Sequence, residues 1–233
     1  MQQNDFNASR RGFLGTLATG AAALGAATLA APLSLTANSV HTETPGKLSD
    51  AEAWFKRIKG KHRMVFDVTE PHEVFPFAWP RVFLATNAAT GTSEKECSAV
   101  VVLRHSGIPY AMKNELWAKY NLGEFFHAND PKTGKPATRN PFWKPQPGDY
   151  SFPGMGNVAI GINELQESGV MFCVCDAALT VYSAVIAQSI GLDAAEVKKE
   201  WVAGLLPDIQ IVPSGVWAVG RAQEHGCGYC FVR

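Results

Sequence analysis

Apolar positions in this chain fall into short runs separated by amphipathic stretches. Arg63-Met64-Val65-Phe66-Asp67-Val68 reads as a first strand. Ser98-Ala99-Val100-Val101-Val102-Leu103-Arg104 is nearly all apolar, the pattern of a strand buried on both faces, as in parallel sheets. Val170-Met171-Phe172-Cys173-Val174-Cys175 is a third such run, Ile209-Gln210-Ile211-Val212 a fourth, and Cys227-Gly228-Tyr229-Cys230-Phe231-Val232 a last short one. Helical spacing fills the gaps. A short helix is expected over 48–58, capped by Ser49 or Asp50, with Trp54, Phe55 and Ile58 as its apolar stripe. Further helices are expected over 77–89, with Pro80 in the first turn, and over 112–120, 157–168, 177–190, 194–205 and 216–225. Gly191 ends the fourth of these six and Asp193 caps the fifth. Strands alternating with helices predict a single α/β domain of three layers, with a mostly parallel sheet of about five strands. In such a sheet ligands sit beyond the carboxyl ends of the strands.

Residues 128–154 break this rhythm. Six of the 14 prolines lie there, with Phe142, Trp143, Tyr150 and Phe152. Proline at that density excludes helix and central strand. The aromatics predict an ordered insertion packed on the body or on a neighbouring subunit.

The first residues read as an address. Ser9-Arg10-Arg11-Gly12-Phe13-Leu14 is a twin-arginine export motif. An uncharged Gly/Ala/Thr/Leu run follows over 15–31, and Leu35-Thr36-Ala37 offers a cleavage position before Asn38. The run is near the length of a membrane span, but its Gly and Ala content makes a poor anchor. The expected organisation is a signal peptide over 1–37, a linker and short helix over 38–62, and the α/β domain over 63–233. The export route delivers folded proteins to the periplasm, where disulfides persist. No membrane contact is expected after cleavage.

Composition narrows the functions. The 233 residues hold 21 Lys+Arg and 21 Asp+Glu. Taking away Arg10, Arg11 and Asp5 with the signal leaves 19 basic and 20 acidic residues. A near-neutral chain argues against nucleic acid as a partner. The 46% hydrophobic content supports a real core. Five cysteines in this length do not make a disulfide scaffold.

Four of those cysteines are clustered. Cys175 stands where a buried strand runs into a helix. The helix dipole favours a thiolate there, and the neighbouring Asp176 opposes it unless it is otherwise engaged. Cys173 lies two residues earlier, so on a regular strand both thiols face one side. They are suited to share a metal ion, to act as carrier and resolving thiol, or simply to fill the core as small hydrophobes. Cys227 and Cys230 form a CxxC, a redox or metal signal only where a turn lets the thiols converge. Together Cys173, Cys175, Cys227 and Cys230 are enough for a tetrathiolate Cu or Zn site if they meet. Cys97 is isolated. The six histidines show no ligand spacing, although His105 follows a strand and is expected to border the site, and His225 precedes Cys227 by two residues. There is no Walker motif and no G-x-S-x-G.

These pieces, in order, resemble the DsrE/DsrF-like sulfur-relay family over about 63–232. The resemblance rests on the opening strand and helix, on Ala99–Leu103 leading to His105-Ser106-Gly107, and on a helix ending in Ser168-Gly169-Val170. It continues through Cys175-Asp176-Ala177-Ala178-Leu179, Leu206-Pro207-Asp208, Val212-Pro213-Ser214-Gly215-Val216 and the segment 226–229. It implies a flavodoxin-like domain, assembly into a homotrimer or hexamer, and a persulfide-carrying cysteine at Cys175, or at Cys173 if the alignment slips by two. A sulfur donor or acceptor protein would then be a partner. The export motif, the Pro-rich insertion, the CxC and the terminal CxxC depart from the family pattern. Cytoplasmic relay partners are absent after export, which sets aside a role in tRNA modification. The expectation is an exported protein that handles sulfur or thiols through Cys175, with Cys173 or the terminal pair assisting. The alternatives are a thiolate metal protein and a non-catalytic oligomeric scaffold.

Overall fold

The computed structural model describes residues 50–232. The export motif, the apolar run, the cleavage position and residues 38–49 of the linker lie outside them.

The strands are β1 (His62–Val68), β2 (Cys97–Leu103), β3 (Ser151–Phe152), β4 (Gly156–Asn157), β5 (Met171–Cys175), β6 (Ile209–Val212) and β7 (Gly228–Val232). The helices are α1 (Ala51–Phe55), α2 (Phe75–Ala89), α3 (Asn114–Tyr120), α4 (Leu122–Phe125), α5 (Ile162–Glu167), α6 (Asp176–Ile190), α7 (Ala194–Ala203) and α8 (Gly215–Glu224). Five strands make one sheet in the order β6-β5-β2-β1-β7, and every pairing in it is parallel. Helices cover both faces, so the expected three-layer α/β domain is present. Counted along the chain, those five strands stand 4-3-2-1-5. That differs from the 2-1-3-4-5 order of flavodoxin.

The alternation of each strand builds two cores. Phe66, Val68, Val101, Leu103, Phe172 and Val174 face one layer, where they meet Phe77, Trp117, Leu179 and Trp201. Val65, Val100, Val102, Met171 and Cys173 face the other, against Trp54 and Phe55 of α1 and Ala218 and Ala222 of α8. β1 and β2 are flanked on both sides; β2 is buried on both faces and almost continuously apolar, and β1 is buried from Val65 to Val68.

Several boundaries differ from the sequence pattern. α2 begins at Phe75, so Pro76 occupies its first turn and Pro80 lies inside the helix, where the sequence had put it at the start. Burial of Pro80 and its neighbours Phe77 and Ala78 holds the helix through the missing bond. The helix expected over 157–168 begins only at Ile162. Residues 156–157 instead pair with 151–152 as a small antiparallel hairpin. The helix starts where the Glu164 carboxylate accepts the Gly161 N–H at 2.8 Å. Residues His105–Ala111 form 3-10 turns that precede α3. α1 is shorter than 48–58, and Asp50 makes no side-chain cap. Asp193 does cap α7, accepting from the N–H groups of Ala195 and Glu196 at 2.9 and 3.0 Å.

The Pro-rich insertion packs on the body. Phe142 is fully buried, 4.3 Å from the Phe77 ring and 5.2 Å from Tyr150, centroid to centroid. Buried Asn140 donates to the carbonyls of Tyr110 and Met112 at 2.9 and 3.0 Å. A Cβ at Gly123 would come within 2.1 Å of the Ala137 carbonyl, so only glycine lets the insertion lie this close to α4.

Candidate functional site

β5 and β6 are neighbours, with Cys175 opposite Val212. The chain leaves β5 into α6, whose Ala178, Leu179 and Ile186 enter the first core. It leaves β6 into α8, whose Ala218 and Ala222 enter the second. Connections that depart to opposite faces open a crevice between the strand ends, the usual ligand position of a parallel sheet. Two helix N-termini begin at this point.

Cys175 is the N-cap of the 15-residue α6, and its Sγ accepts the Ala178 N–H at 3.2 Å. The sulfur therefore sits at the positive end of the helix dipole, in a hydrogen bond that a thiolate strengthens. Cys175 is 6% exposed. Asp176, which the sequence suggested would oppose a thiolate, is buried beneath α7 and lies 3.0 Å from the Lys198 ammonium. Its charge is neutralised there. On the α8 side, Ser214 caps the helix by accepting the Trp217 N–H at 3.2 Å.

Three further residues form a polar chain across β2, β1 and β7, next to the crevice on its β2 side. Arg104 follows β2 and grips Asp67 of β1, Nε to Oδ1 at 2.6 Å and Nη2 to Oδ2 at 2.8 Å. The Tyr229 hydroxyl of β7 also donates to Asp67 Oδ2, at 2.8 Å. Burial, together with this donation to Asp67, pushes the Tyr229 phenol up to about 12. Arg104 is raised above its already high value, first by the bond to Asp67. The sequence reading missed this chain. Its one signal was Asp67, a carboxylate within the apolar half of β1.

His105 borders the site as expected. It takes a left-handed backbone, φ 50°, and its ring lies edge-on to Tyr182 of α6 at 5.7 Å. Ser106 Oγ is 3.0 Å from His105 Nδ1. His225 instead packs at 6.4 Å on Phe55, and its carbonyl accepts from Arg63 at 2.8 Å, which is a structural role.

The other thiols do not join Cys175. Cys173 is fully buried in the second core, whereas Cys175, where the strand turns into the helix, packs with the first. Strict strand alternation ends at that turn, so the shared face expected of the two thiols is lost. Burial pushes the Cys173 thiol far above its ordinary range. Cys227 lies in the second core and Cys230 against the first, so the CxxC does not converge. Burial raises Cys227 to about 11. β5 and β7 are separated by β2 and β1, three strand spacings or roughly 14 Å. The tetrathiolate site open to the sequence is therefore not assembled within one chain. Among the described residues no three His, Cys, Asp or Glu side chains stand together as a metal site. All five cysteines are free thiols. Two concavities lie elsewhere. One of about 490 Å³ is lined by Tyr120, Leu192 and Glu196, and one of about 210 Å³ lies within the Pro-rich insertion.

No family model matches this chain, and no curated protein does. It is similar to a solved structure, the protein of unknown function MTH1491 from Methanobacterium thermoautotrophicum, at 18% identity. The match covers 73% of this chain and 99% of that one, with a TM-score of 0.38. A likeness of that size carries no functional argument.

Proposed function

We propose that this is an exported, DsrE-like protein that carries sulfane sulfur on Cys175. One observation carries the reading: a single thiol caps a long helix at the crevice of a parallel sheet, with an N–H directed at its sulfur. The chemistry it supports is persulfide exchange. The Cys175 thiolate attacks the terminal sulfur of a donor persulfide, R–S–SH. The new S–S bond leaves Cys175 as a persulfide and releases the donor as thiolate R–S⁻. Reversal onto an acceptor thiolate discharges it. In this reading Cys173 is a packing residue rather than the resolving thiol, because burial keeps its thiol protonated. Val181 and Val185, one turn apart, are exposed apolar side chains on one face of α6, which supports assembly of several copies. Periplasmic location rests on the twin-arginine motif alone.

Intact-mass spectrometry of protein recovered from the periplasm tests this, native and denatured, with and without reductant. The expected result is an adduct of one or more sulfur atoms that reductant removes and that Cys175→Ser lacks. Equal sulfur loading in Cys175→Ser would sink the proposal. The native spectrum also reads the trimer or hexamer, and a reductant-resistant metal mass would move the reading to a thiolate metal site between copies.

A further inference from the structure

Arg104 is better placed to act on Cys175 than any feature of the sequence indicated. Leu103 of β2 pairs with Val174 of β5. The residues that follow, Arg104 and Cys175, therefore leave the sheet side by side, on strands about 4.8 Å apart. Asp67 is the main cause that raises Arg104, and Cys175 is the last of the groups that contribute.

The guanidinium is held rather than free. Asp67 binds Nε and Nη2 together, and Tyr229 fixes the far oxygen of Asp67. Nη1 is left uncommitted among the described residues. The arrangement is built around the arginine. α8 begins with Gly215, where a Cβ would lie 2.4 Å from Arg104 Cβ and 2.6 Å from its Cδ. Glycine at that position gives the arginine stem its path beneath the helix start. A carboxylate such as Asp67, buried in an apolar strand, is costly, and a matched apolar replacement usually serves stability as well. A pair that only held the sheet together would not require this investment. A pair that fixes a cation at the strand end neighbouring the one that bears Cys175 does.

We infer that Arg104 binds the negative charge of the sulfur species at Cys175, so that the donor is an anionic sulfur compound, with Asp67 and Tyr229 as positioning residues. The inference rests on the sulfur-carrier reading. The simplest such donor is thiosulfate. The Cys175 thiolate would attack its outer sulfur, forming Cys–S–S⁻ and releasing sulfite, with three negative charges on each side.

Charge-selective thiol labelling tests the residue independently of any sulfur cargo. The reagents are sulfonatoethyl and trimethylammonioethyl methanethiosulfonate. With each, the thiolate attacks the sulfenyl sulfur, a mixed disulfide forms and methanesulfinate leaves. Rates at Cys175 are read by peptide mass in the parent, Arg104→Gln and Arg104→Lys, each first checked for a cooperative melt. The parent should favour the sulfonate reagent. Arg104→Gln should lower the anion-to-cation rate ratio at least about fourfold, roughly what one charge about 10 Å away supplies in water when it acts with opposite sign on the two reagents. Arg104→Lys should restore much of it, and 0.5 M salt should shrink the parent's preference. An unchanged ratio in folded Arg104→Gln overturns the inference and leaves the sulfur reading standing. Should Arg104→Gln fail to melt cooperatively, the parent's own ratio and its salt response decide, and no preference for the sulfonate overturns the inference. Failure of Cys175 to react with either reagent overturns both.

Discussion

At the residue scale, burial sorts five chemically identical thiols into different roles. Cys227 shows the consequence for pH. Its native thiol holds its proton to about 11 because the second core excludes water, whereas the ordinary thiol value is 9.0. Between those values the unfolded chain has lost the proton and the native chain has kept it. Stability from this group is therefore full below pH 9 and is lost as pH rises towards 11. Thermal melts at pH 8 and pH 10.5 should show a smaller alkaline drop in Cys227→Ala than in the parent. Asp67 is the converse case, a buried charge that depends on its partner. Replacing it with Ala leaves Arg104 without its carboxylate beneath the start of α8. The expected loss is about 3 kcal/mol in denaturant unfolding, with no change in slope.

At the scale of elements, helix starts carry both the chemistry and the stability. Cys175 is a cap as well as the proposed sulfur carrier, which determines how it should be replaced. Serine keeps an acceptor for the Ala178 N–H, whereas alanine removes it and should cost about 1 kcal/mol. A Cys175→Ser variant that melts with the parent, beside a less stable Cys175→Ala, would confirm the cap. α7 offers the control, since Asp193→Ala removes two acceptor bonds far from the crevice and should cost a similar amount without touching sulfur loading. Boundaries were the least legible part of the sequence. The apolar content of α2 was plain, but its start at Phe75 depends on how the body buries Pro76 and Phe77. The pattern over 157–168 looked helical although its first residues pair in a hairpin.

At the scale of the whole molecule, the Pro-rich insertion is a packed part of the domain. Phe142 fills space between Phe77, Tyr110 and Tyr150, and the Tyr150 hydroxyl donates to the Pro141 carbonyl at 2.8 Å. Phe142→Ala should cost about 3–5 kcal/mol. Limited proteolysis of the parent should spare residues 137–150, and the same treatment of the variant should cut there. Cleavage of the parent in that segment at the rate of an unfolded chain would contradict the packing.

The sequence alone determined the class of fold, because burial periodicity is a local property. Strands flanked on both sides must be apolar throughout, and amphipathic helices must cover them. It also marked the place of Cys175, since a thiol at a strand–helix junction is written in consecutive residues. Which side chains meet was decided by the order of strands. Arg104 stands beside Cys175 because β2 neighbours β5, and the terminal CxxC is removed from it because β7 lies beyond β1. Nothing in a strand's own residues specifies its neighbour. That choice is made by the packing of all the layers at once, and the candidate site is a product of it.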